Sequence, residues 1–223
     1  MNVVRQVLLL VGKDLRIEGR TRQTLGLVLV LGILIVAVLG LGFSGHPKEA
    51  RVGTPAILWV AYLFAGVLCF EKTMAVERQD GALAGLLLAP IDRGVIFAAK
   101  LISNLALMSA VAAVITPVGI LFFDFDLGQA LGGFVMVMAL SLVGFAAIGT
   151  LFAALVSSTR LAGGLLALVV FPIVLPLVIV STRILGAMFD GAAVDQGALA
   201  ILLAFDSIFL VVSWIVFELV LEP

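Results

Sequence analysis

Six apolar runs alternate with short polar breaks along most of the chain, at residues 24–43, 55–70, 95–123, 127–156, 161–180 and 198–217. A helix crossing the hydrocarbon of a bilayer needs about 20 apolar residues, so this spacing predicts six transmembrane helices. Residues 2–20 carry a different pattern. Val4, Val7, Leu8, Val11 and Leu15 share one helical face, while Arg5, Lys13, Arg16 and Arg20 share the opposite one. That arrangement predicts an amphipathic helix lying in the headgroup plane with its basic face toward anionic lipid. Asp14 and Glu18 fall toward the apolar side and interrupt the stripe after its third turn.

The breaks differ in kind. Residues 44–54 read as a short polar loop with His46, Pro47, Lys48, Glu49 and Arg51. Asp124, Phe125 and Asp126 form a tight turn, as do residues 157–160. Residues 181–197 read as a longer loop or short interfacial helix. Composition supports the membrane reading: 63% of the 223 residues are hydrophobic and 12% charged, with a mean hydropathy of +1.31. A soluble domain of this size needs more polar surface than that. The expected organisation is one all-α transmembrane domain over 1–223, with a cytoplasmic amphipathic helix at 1–22. The first apolar run is long enough to span and follows a charged stretch too long for a signal-peptide n-region, so no cleaved leader is expected. The net charge of −1 and the absence of a basic-aromatic surface give no sign of nucleic acid, and the single Cys69 excludes an intrachain disulfide.

Lysine and arginine are asymmetric about the spans. Ten lie on the side of the N-terminus, of residues 71–100 and of Arg160, against Lys48, Arg51 and Arg183 on the other. The positive-inside rule then places both termini in the cytoplasm.

Residues 71–93 form the one cytoplasmic connection of any size. The run 82–89 is too short to cross a bilayer and ends at Pro90, which disfavours helix at Ala89. Asp92 is then placed to cap the third span. The pattern fits a surface helix that passes a push from a cytoplasmic motor into the membrane helices. It fits equally a re-entrant turn that only ties two spans together.

Motifs narrow the reading. Pro90-Ile91-Asp92-Arg93 with Ile96 and Lys100 resembles a stretch common among ABC-2 type permeases. The longer run from Phe64-Ala65-Gly66 through Glu77-Arg78 to 81–90 is similar to the haem exporter protein B family, CcmB, of the cytochrome c maturation system. So are residues 13–18 with Arg20 and Arg22, residues 149–155, and the proline-bearing 171–179, whereas Phe70-Glu71-Lys72 departs from the family pattern. The resemblance implies a non-catalytic membrane subunit of an ABC complex in the bacterial inner membrane. Its ATPase is a separate CcmA-like subunit, its further partners are CcmC-, CcmD- and CcmE-like proteins, and the process is haem export or release of haem-loaded chaperone. Two copies, or one copy with a second permease subunit, would sit over an ATPase dimer.

The residues agree with a motor outside the chain. No G-x-x-x-x-G-K-[ST] motif occurs, so ATP must be bound by a partner. Glu77, Arg78, Asp80, Asp92 and Arg93 are the candidates for ATPase contact or coupling geometry, with Gly81 and Pro90 shaping the segment. Haem iron takes His, Met, Cys or Tyr ligands. His46 reads as polar loop surface, Met108, Met136, Met138 and Met188 as packing residues, and Cys69 as a small apolar residue, so no cofactor is expected on this chain itself. Three intramembrane polar residues stand out: Lys100, Asn104 and Asp206. Asn104 is expected to bond across helices. Asp206 should face the bundle or a dimer contact, near Ser207 or Ser213, or carry a proton, and a proton relay is the sharper alternative. Pro172 and Pro176 should kink the fifth span.

Two other classes fit the bare pattern. An ABC-2 permease for lipid, drug or glycan would keep the coupling segment. A motor-free ion-coupled carrier would depend on Asp206 and Lys100 rather than on Glu77 and Arg93.

Overall fold

A computed structural model describes residues 2–43, 45–79, 85, 91–125, 128, 131–157 and 162–220, with side chains at all of these but 47, 78, 79, 162 and 163. Seven long helices make up the described fold: α1 (Val3–Thr21), α2 (Gln23–Gly42), α3 (Pro47–Gln79), α4 (Arg93–Phe123), α5 (Leu131–Ser157), α6 (Ala162–Phe189) and α7 (Gln196–Val220). The last six are long and apolar enough to span a bilayer. This is a multi-pass, all-α membrane protein. In hydrocarbon only a helix or a closed barrel satisfies every backbone polar group internally, so apolar runs of this length fold this way.

Helix α3 is the hub, packed against α2, α4, α5 and α6. Trp59, Tyr62 and Phe70 on α3 are fully buried and meet Phe145 of α5 edge-on, directly or through one another. Such close approach needs small residues opposite the rings. A Cβ added at Gly66 would overlap Phe145, and one at Gly149 would overlap Phe70. Helices in lipid gain stability mainly from this kind of packing, because the tails are as apolar as the side chains. Helix α2 follows the same logic. Its buried face repeats every four residues (Thr24, Val28, Gly32, Val36, Gly40), with Gly32 against Ile115 and Gly40 against Phe122 of α4.

Three predicted boundaries are corrected. Residues 47–54 are the first two turns of α3, not a loop. Pro47 suits the first helical position, where its missing N–H costs nothing, and Glu49 sits in the first turn. At the other end α3 runs on to Gln79, so its 33 residues reach about 50 Å, well beyond a ~30 Å hydrocarbon core. Residues 181–189 continue α6. Ser181 turns inward to Trp59, Thr182 donates to Ile179 O, and Ile184, Leu185, Met188 and Phe189 bury one face. The chain leaves α6 through Gly191 at φ +83°, a conformation that favours glycine. Phe189 stacks on Phe125, directly after Asp124, whose left-handed backbone ends α4.

Helix α1 docks on α4 and α2 by one edge of its apolar stripe, not by the whole of it. Val4, Leu8 and Leu15 are exposed, whereas Val11 and Glu18 are buried and Asp14 is nearly so. The two acids that interrupt the stripe are the docking residues, and each has a partner in the bundle. Arg22, at φ +51°, turns the chain from α1 into α2.

Candidate coupling site

Four ionisable side chains meet where α1, α3 and α4 converge. Lys13 and Asp14 are consecutive on α1, Glu77 lies in the last turn of α3, and Lys100 is two turns into α4. Lys100 Nζ lies 2.7 Å from Glu77 Oε1 and 2.8 Å from Asp14 Oδ2. Lys13 donates to the same Glu77 oxygen and pairs with Asp14 Oδ1 at 3.2 Å. Two ammonium groups and two carboxylates therefore close a ring across three helices. Glu77 and Lys100 are both at least nine-tenths buried. A lone ion there would cost several kcal/mol, and the ring exists because each charge has two opposite neighbours.

Lys13 lies outside the spans, and its titration reflects the ring. Burial works to lower it, but the hydrogen bond it donates to Glu77, the charge of Asp14 and the charge of Glu77 outweigh burial and hold it above its ordinary 10.5. Beside the ring, Glu18 Oε1 accepts from Leu25 N at 2.7 Å, satisfying an N–H of the first turn of α2 that no helical carbonyl reaches.

One turn deeper, a neutral network carries the same connection on. Thr73 on α3 donates to Asn104 Oδ1 at 2.9 Å, and Asn104 Nδ2 donates to Thr150 Oγ1 on α5 at 2.9 Å. Asn104 thus bonds across helices as its type predicts, and it links α3, α4 and α5. Farther along the bundle, Trp59 Nε1 donates to Ser181 Oγ at 3.0 Å, Ser141 to the same oxygen at 3.1 Å, and Tyr62 shares a 2.7 Å bond with Thr116.

The remaining candidates divide by place. Asp92 caps α4, accepting from Gly94 N at 3.1 Å. Arg93 opens α4 and donates to Glu218 O of α7 at 3.4 Å, while Gly94 is so close to Trp214 and Glu218 that no Cβ would fit. Arg78 lies in the last turn of α3. Asp80, Gly81 and Pro90 fall outside the described residues. Glu77 is 3% exposed and faces the bundle, paired with Lys100. Asp206 faces α5, near Gly144. Ser207 donates to Leu203 O of its own helix instead, and neither Ser207 nor Ser213 bonds Asp206. Sequence reasoning did not pair Lys13 and Asp14 with Glu77 and Lys100. The trace available was the break in the α1 stripe. Among the described residues, no three His, Cys, Asp or Glu groups are arranged to hold a metal ion.

The family model described as "CcmB protein" matches residues 5–221. The chain belongs to the CcmB family. Similar curated proteins agree with this along most of their length. Heme exporter protein B of Bradyrhizobium diazoefficiens is 28% identical over 207 residues, covering 92% of this chain and 91% of its own. The proteins of the same name from Paracoccus denitrificans (26% over 186 residues, 83% and 81%) and Haemophilus influenzae (26% over 178 residues, 80% of each) are similar to the same extent. In this CcmB family member the charged ring joins the N-terminal helix to Glu77 within the 71–93 segment and to Lys100 beyond it.

Proposed function

We propose that this chain is the permease subunit of an ABC-type complex in the bacterial inner membrane, serving haem export or the release of haem-loaded chaperone in cytochrome c maturation. The family match over 5–221 carries this reading, because relatives of this length and similarity are named heme exporter protein B. ATP is bound and hydrolysed by a separate CcmA-like subunit, in keeping with the missing phosphate-binding loop. CcmC-, CcmD- and CcmE-like proteins complete the assembly, with two permease copies or a paired permease over the ATPase dimer. Both termini are cytoplasmic, as the ten-to-three distribution of Lys and Arg favours.

In this reading residues 71–93 take the push of the ATPase. Arg78, Asp80, Asp92 and Arg93 meet or orient the motor, while Gly81 and Pro90 shape the segment. Glu77 and Lys100 pass displacement into α1 and α4, and Asn104 passes it on to α5. A packed ring of charges suits that task, because it cannot shear by small amounts without leaving a buried ion unpaired.

Complementation tests the function. The chain is expressed in a bacterium deleted for its own CcmB, and covalently bound haem in c-type cytochromes is stained after electrophoresis. Restored c-type cytochromes are expected. Their continued absence, with the chain inserted in the membrane at normal amounts, would contradict the haem assignment.

A further inference from the structure

Asp206 is an acid for which the coupling pathway has no use. It lies in the eleventh position of the 25-residue α7, near mid-bilayer, and is 4% exposed. Neither carboxylate oxygen has a hydrogen-bond partner among the described residues. It enters a notch at Gly144 of α5, where an added Cβ would overlap Oδ1 and would also come within 2.7 Å of Leu177 Cδ1 on α6.

No charge on the neighbouring helices answers it. Residues 131–157 of α5 contain no ionisable side chain. Helix α6 contributes only Arg183, which is exposed and lines a separate cavity of about 450 Å³ with Asp195 near the start of α7. Helix α4 contributes Lys100, held by Asp14 and Glu77, and Arg93, which donates to Glu218 O. Glu218 itself is twelve residues along α7, about 18 Å away along the axis. An ionised carboxylate without donor or cation in such surroundings is strongly disfavoured, and the carboxyl instead takes up a proton.

We propose that Asp206 is an intramembrane proton-binding site, closed against Gly144 while neutral and opened between α5 and α7 when the proton leaves. The step is a single acid dissociation. The O–H bond breaks, its electron pair stays on the carboxylate, and the proton passes to water admitted between the two helices. Gly144 is what makes the closed state possible, since any larger residue would hold the helices apart. The ligand is the proton, and the proposal stands whether or not the protein exports haem.

The test uses the full chain in phosphatidylethanolamine/phosphatidylglycerol vesicles. Infrared difference spectra between wild type and Asp206→Asn should contain a protonated-carboxyl C=O band at neutral pH, and Asp206→Glu should move that band rather than remove it. In a Cys69→Ala background, spin labels at the exposed Ala139→Cys and Ile201→Cys report the α5–α7 separation. The separation should widen as pH rises and the band fades in wild type, and stay constant in Asp206→Asn. Carboxylate bands for Asp206 at neutral pH would overturn the proposal. So would a label distance that does not respond when the wild-type band disappears.

Discussion

Lys100 on α4 holds Glu77 on α3 at 2.7 Å, and the same ammonium holds Asp14 on α1 at 2.8 Å. One side chain thus fixes three helices near the C-terminal end of α3 and the N-terminal end of α4. Buried pairs of this kind are weak evidence for stability but strong determinants of arrangement, because any other arrangement strands a charge.

Removing that ammonium should therefore be worse than removing the whole pair. Lys100→Ala leaves Glu77 buried with only Lys13 opposite, and is expected to destabilise the protein by about 3–5 kcal/mol. Glu77→Gln/Lys100→Met, which deletes both charges at similar volume, should recover most of that loss. Thermal unfolding in detergent measures both. A double variant no more stable than Lys100→Ala would show that the ring is not what holds the helices together.

Asn104 makes a smaller contribution that can be separated from the ring. Its two interhelical bonds, each 2.9 Å long, lie in the bundle core. Hydrogen bonds between membrane helices contribute about 0.6 kcal/mol on average and up to about 1.7, so Asn104→Ala should cost about 1–2 kcal/mol in the same assay. Thr150→Ala should cost less, and the two losses should not add, since they remove a shared bond. Additive losses would mean that the Asn104–Thr150 bond contributes nothing.

The ring also predicts how α1 responds to pH. The folded-state value of Lys13 is raised above 10.5, so its contribution is fully present below that value and lost only as pH rises through the higher folded one. Labels at the exposed Leu9→Cys and Ile102→Cys, again with Cys69→Ala, should keep a constant distance from about pH 7 to about pH 10 and separate only above that. Separation within that window would show that Lys13 does not hold α1 in place.

Much of this architecture was legible in the sequence because a bilayer leaves hydropathy little freedom. The six spans follow from apolar length alone, and the Asp92 cap follows from a local rule about helix starts. The ends of α3 and α6 were hidden. Lys48, Glu49 and Arg51 at one end, and Glu71, Lys72 and Glu77 at the other, stop the apolar run without stopping the helix. Hydropathy reports what surrounds a residue, not whether its backbone is helical. The ring was hidden for another reason. Lys13 and Glu77 are 64 residues apart, and Asp14 and Lys100 are 86 apart. No local pattern encodes such pairs, and the isolated charges at 77 and 100 read just as well as partner contacts or as a carrier site. Asn104 was easier, because a buried amide in lipid must bond to a neighbouring helix whatever that neighbour is.

We propose that this subunit works with a separate ATPase that engages residues 71–93. Affinity purification of the tagged chain in mild detergent tests it most directly, with wild type beside Arg78→Ala/Asp80→Ala and the co-purifying proteins identified by mass spectrometry. Wild type should retain an ATPase bearing a phosphate-binding loop together with cytochrome-maturation subunits, and the variant, equally folded and expressed, should retain much less of the ATPase. An intact wild-type protein that captures no ATPase would contradict it.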